Sequence, residues 1–255
     1  MKVIKLLIVM VIVALMPAVA SAAPGALAGS HHDFSGGTAT TGSEAFTTGL
    51  CTFCHTPHKA ISTLPLWNHT LSANASFAWD VTSTTAGTTY PSFANTYNGP
   101  TARCLSCHDG SVAVGDIAWF GEGKPTSILV GGEEMTTHKH GETDPMNVGF
   151  GGHMKGNHPV AMPYPFGGVG NTYNGVATGS AIITAEFQSA PLSPIRLFND
   201  RGTGDIVAGA VAGKTGIECS SCHDPHNTQA VGDLFLRGTL GGNDTNYICL
   251  KCHIK

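Results

Sequence analysis

All eight cysteines of this 255-residue chain lie in one repeated pattern: two cysteines with two residues between them and a histidine directly after. The occurrences are Cys51-Thr52-Phe53-Cys54-His55, Cys104-Leu105-Ser106-Cys107-His108, Cys219-Ser220-Ser221-Cys222-His223 and Cys249-Leu250-Lys251-Cys252-His253. An even cysteine count reads by default as a disulfide framework, and two cysteine pairs can close a zinc site. Neither reading explains the histidine that ends every pair. On one helical turn, positions i, i+3 and i+4 share a face, so both thiols can reach the vinyl groups of one porphyrin while the histidine reaches its iron. The pattern is the attachment sequence of c-type haem. The sequence therefore predicts four covalently bound haem c groups, held by thioethers to Cys51, Cys54, Cys104, Cys107, Cys219, Cys222, Cys249 and Cys252 and ligated by His55, His108, His223 and His253.

The start of the chain fits this chemistry. Lys2 and Lys5, the apolar run from Leu6 to Leu15 and the small residues Ala20-Ser21-Ala22 read as a signal peptide over residues 1–22. Haem of this type is attached outside the cytoplasm, so export and attachment point to the same place. Residues 23–255 read as one tetrahaem unit, with a Gly-rich insert joining the second and third haem sites. No later segment approaches the roughly 20 apolar residues of a membrane-spanning helix. A net charge of −4 argues against a nucleic-acid partner, which would need a basic stripe.

With 33 glycines, 14 prolines and only 12% charged residues, few long helices are expected. The fold class predicted is a multihaem cytochrome, irregular and mostly coil, with short helices and a few short strands packed around a chain of four haems. Aromatic residues make up 7% of the chain, which suggests that macrocycles supply the apolar bulk in place of a conventional core. Ser127–Val130, before Gly131-Gly132, and Ala181–Thr184 read as short strands, and Thr82–Thr89 as an exposed loop.

The second axial position of each iron decides between electron transfer and substrate chemistry. His31, His32, His58, His69, His138, His140, His153, His158 and His226 lie outside the motifs, more than four irons need. His58 and His226 each follow a motif histidine by three residues, with Pro57 or Pro225 between them. Neither can wrap around its own macrocycle, but the proline redirects the chain toward a neighbouring iron. His158, in a His-Pro-Val segment, and His32, beside Asp33, are further candidate ligands. His69 is a fifth candidate, with packing beside Trp67 as the alternative. His31, His138, His140 and His153 read as solvated, and Met146, Met154 and Met162 as gap fillers.

The ordered set Cys54-His55-Thr56-Pro57-His58, Pro65-Leu66-Trp67-Asn68, Cys104 to Gly110, His158-Pro159-Val160, Cys219 to His226 and Cys249 to His253 resembles the tetrahaem outer-surface cytochromes of the OmcE type over nearly all of residues 23–255. The resemblance implies bis-histidine haems stacked through an extracellular filament, with one iron in each subunit ligated by a neighbouring subunit. Asn157, where serine often precedes the His-Pro pair, and the histidine at position 69 depart from the pattern. His32, on what reads as an extended N-terminal arm, is the expected intersubunit ligand.

Three functions follow as expectations: a polymeric conduit to an acceptor outside the cell, a monomeric periplasmic shuttle, and a haem reductase. Redox proteins or extracellular acceptors would be the partners. All four motifs end in the same residue, so none is marked for catalysis and no enzymatic activity is expected.

Overall fold

The computed structural model describes residues 26–61, 65–79, 92–94, 97–154, 156–178, 182–202, 205–231, 234–242 and 244–254. The expected signal peptide and the Thr82–Thr89 loop lie outside these residues. Among them, no helix is long and apolar enough to cross a membrane.

Two four-stranded antiparallel sheets carry most of the regular structure. The first pairs β1 (Thr38–Thr41) with β2 (Glu44–Thr47) on one side and β5 (Ser127–Val130) on the other, and β5 continues to β6 (Glu133–Glu134). Gly131 and Gly132 have φ of 59° and 89°. A two-residue hairpin that matches the twist of its strands needs positive φ at both positions, which glycine supplies without steric cost. The second sheet has the order β11 (Ile206–Ala208), β10 (Phe198–Asp200), β12 (Thr215–Ile217), β7 (Met162–Pro163). Two hairpins, β3 (Ser76–Phe77) with β4 (Phe93–Ala94) and β8 (Thr172–Tyr173) with β9 (Val176–Ala177), complete the strands. Of the strand expected at Ala181–Thr184, Ala181 lies outside the described residues and the other three form no strand. Ile182 and Ile183 are irregular, and Thr184–Glu186 is a 3-10 turn closed by its own backbone bonds.

The expectation that macrocycles replace a conventional core needs correction, because side chains build two apolar cores. One gathers Phe77, Trp79, Phe93, Tyr97, Leu105, Met154, Tyr173 and Phe198. The other lies under β1 and β5 and gathers Phe53, Val114, Ile117, Phe120, Ile128 and Met135. Burying each large apolar side chain favours the fold by about 1.5–3 kcal/mol. Phe53, Phe77, Trp79, Phe93, Tyr97, Phe120, Tyr173 and Phe198 supply the aromatic part of these cores.

Helix α1 (Pro100–His108) opens on Pro100, whose fixed φ suits a first helical position, and carries the second attachment motif. Helix α2 (Cys219–Cys222) is the third motif itself. The two are joined where the Thr101 hydroxyl accepts the Cys219 N–H at 3.1 Å and donates to buried Glu218 at 2.5 Å.

Candidate haem-attachment site

Each motif forms one helical turn. In the first, third and fourth, the histidine N–H donates to the carbonyl of the first cysteine at 2.9, 3.0 and 2.9 Å, and the second lies within α1. The residue just before each second cysteine is buried: Phe53, Ser106, Ser221 and Lys251 are at most 3% exposed. The reason is angular. At about 100° per residue, position i+2 points away from the face shared by i, i+3 and i+4. The turn is thus fastened into the protein on one side while its thiols and imidazole face the other. Lys251 is accommodated because its ammonium donates to the carbonyls of Ser193 and Thr245 at 2.9 and 3.0 Å. Sequence reasoning missed these anchors; the helical period of the motif was the available signal.

Three of the four motif imidazoles are oriented through Nδ1. His55 donates to the Pro65 carbonyl at 2.9 Å, His108 to Met146 at 2.8 Å and His223 to Leu234 at 2.8 Å. Fixing Nδ1 on a carbonyl selects the tautomer that leaves Nε2 for a metal. Burial holds His55, His108 and His253 below the ordinary histidine pKa, so they favour the neutral, ligating form.

Three of these rings face a histidine from elsewhere in the chain. Ring centroids are 6.1 Å apart for His55 and His226, 6.0 Å for His108 and His32, and 6.2 Å for His253 and His158. An imidazole nitrogen binds a transition metal at about 2 Å and lies about 1.1 Å from its ring centroid, so two imidazoles across one metal have centroids about 6.2 Å apart. The observed separations match that span. His32 and His158 also place Nδ1 on carbonyls, of Pro225 at 3.2 Å and Pro159 at 2.8 Å. His32 is held to a pKa of about 4, first by burial and further by His108 and His226.

His32 therefore sits against its own chain and not on an extended arm. Residues 29–35 fold into turns: Asp33 accepts the N–H of Gly29 at 2.5 Å and that of Ser35 at 2.9 Å, and Asn227 donates to the Ala26 carbonyl at 2.7 Å. The His32 ring stacks on Phe235 at 4.7 Å. His69 differs from the other candidates. It is 1% exposed, with Nδ1 on the Thr70 carbonyl at 2.7 Å and Nε2 on those of Ala113 and Val114 at 2.9 and 3.0 Å. Both nitrogens are thus engaged by backbone. Trp67 packs edge-on to His55 instead of beside His69. Among the described residues no ring lies opposite His223, and His58 stands exposed.

Thiols of successive motifs approach one another. Burial pushes the Cys54 thiol up to about 12, with Cys107 the next cause; Cys219 is raised by its contact with Cys104; Cys222 is raised to about 11 by burial, with Cys249 contributing. Motifs one and two, two and three, and three and four are therefore neighbours in space. Paired thiols on a turn, a histidine with free Nε2 and a second imidazole at metal-spanning distance fit covalently attached haem.

A family model described as a doubled CXXCH motif matches residues 210–255, which contain the third and fourth motifs. No curated protein matches the chain. The doubled motif indicates a multihaem c-type cytochrome-like protein with covalently bound haem iron and a role in electron transfer.

Proposed function

We propose that the chain binds four haem c groups and passes electrons along them as a subunit of an extracellular filament. Haem iron supplies one-electron redox chemistry; the protein supplies attachment, axial ligands and order in space. The observation that carries this reading is the set of three histidine pairs at 6.0–6.2 Å, each joining a motif histidine to one from another segment. His55 with His226, His108 with His32, and His253 with His158 would each hold one haem iron from two sides, and an iron held in that way would have no position for a substrate. His69 belongs to the protein interior.

His223 and His58 remain, one without a facing ring and the other exposed. Exposed apolar side chains flank both: Ile61 and Leu66 follow His58, while Val231 and Leu234 follow His223, with the Leu234 carbonyl on its Nδ1. On this reading His58 of one subunit would ligate the iron that His223 holds in the next, with the flanking apolar surfaces packed around them. Two different patches joined head to tail generate an open filament where the rotation between subunits does not close into a ring. This assigns to His58 the intersubunit role that the sequence suggested for His32.

Intact mass after acid unfolding tests the stoichiometry, because thioether links survive loss of the fold. Four haems per chain are expected, and fewer in fully matured protein would refute the assignment. Electron microscopy of the native protein should show fibres; monomers at all concentrations would support a periplasmic shuttle instead.

A further inference from the structure

We propose that His138, His140 and Asp144 form a binding site for a divalent transition-metal ion, with zinc as the reference ion, separate from the haem ligands. One ligand atom from each residue lies within 4.8 Å of the other two, and all three residues are partly exposed. The sequence suggested solvated histidines here, yet the His140 side chain is only 16% exposed.

The local chain builds the cluster. His138 and His140 are two residues apart, and their ring centroids lie 5.6 Å from each other. The chain is fastened at both points: the His138 carbonyl accepts the Val114 N–H at 2.8 Å, and the His140 carbonyl accepts the Asn147 amide at 2.8 Å. Between them, Lys139 donates to the Ser111 carbonyl at 2.7 Å. A turn closed by Asp144 N–H on the Gly141 carbonyl, 3.0 Å, returns the carboxylate to the rings. One oxygen of Asp144 accepts the Met146 N–H at 2.8 Å, and the other meets His140 Nδ1 at 2.7 Å. Gly110, at φ 69°, permits this packing, because a Cβ there would lie 2.1 Å from the His140 carbonyl oxygen.

Two imidazoles and one carboxylate suit zinc, nickel or copper and not calcium or magnesium, which prefer oxygen alone. Donors around a tetrahedral zinc lie about 3.4 Å apart, a spacing these side chains reach by rotation. Three protein ligands leave a position for water. The His140 ring is parallel to that of His108, at 5.8 Å and 9°, and His108 is oriented by Met146, the residue that also holds Asp144. On the reading that His108 ligates an iron, a dication at this site raises the potential of that haem.

Isothermal titration of the metal-stripped, haem-loaded protein with zinc tests the site. One zinc per chain is expected to bind more tightly than at any background site, and His138→Gln or Asp144→Asn should weaken that step at least tenfold, about 1.4 kcal/mol. Spin state and haem content should not change in either variant, which separates failure of this site from failure of the haem assignment. Absence of a stoichiometric step, or an unchanged step in both variants, would show an ordinary His140–Asp144 hydrogen bond and overturn the proposal.

Discussion

The imidazoles of His55 and His226 face each other at 6.1 Å, although one ends the first attachment motif and the other follows the third. The arrangement ties the first haem segment to the third through a pair of side chains. His226→Ala should therefore alter the iron bound by His55 and not the one bound by its close neighbour in sequence, His223. Magnetic and optical spectra should show one haem changing from low to high spin, with haem content unchanged by mass. All irons remaining low-spin in the variant would contradict the pairing.

His226 is positioned by a buried ion pair. Asp224 accepts N–H groups from Gln229 at 2.6 Å and His226 at 3.2 Å, and it faces fully buried Arg237 at 3.5 Å. Burial alone would raise the Asp224 carboxyl, but these partners outweigh it and hold its pKa low. Removing one member of a buried pair costs about 3–5 kcal/mol, because the other charge is left uncompensated. Arg237→Ala should cost about that much in denaturant unfolding of the haem-loaded protein. A loss below 1 kcal/mol would mean that the backbone donors alone suffice.

The junction of α1 and α2 carries a pH-sensitive carboxyl. Glu218 accepts hydrogen bonds from the hydroxyls of Tyr97 and Tyr173 and from Thr101, whose N–H lies at 3.0 Å. Burial raises its pKa above the ordinary 4.5, with the hydrogen bonds opposing. A carboxyl whose pKa is raised by folding contributes stability that is complete below the ordinary value and declines as pH rises through the folded one. Unfolding free energy should fall with increasing pH above 4.5, and Glu218→Gln should remove that slope. An undiminished slope would assign the pH dependence elsewhere.

The helical turns at the four motifs were legible because the motif is local: two thiols and an imidazole on one face define it without reference to the rest of the chain. Ser127–Val130 was legible for a similar reason, since Gly131-Gly132 marks its hairpin. The pairing of histidines was not. Which ring faces His55 depends on tertiary contacts between distant segments, and nothing near His226 names its partner. His32 was misplaced because the turn made by Asp33 with Gly29 and Ser35 was read only as support for a ligand. His69 carries no local sign that its nitrogens meet carbonyls from residues 113 and 114. The side-chain cores were hidden because a low aromatic count says nothing of how those residues are gathered.

On the proposed function, the iron that His223 would hold is the one completed by a second subunit. The direct test is the His58→Ala protein, loaded with haem and measured for both spin state and assembly size. Monomers or short oligomers are expected, in which three haems are low-spin and one is high-spin or bound to water. Long, regular fibres with four low-spin haems in this variant would contradict this reading.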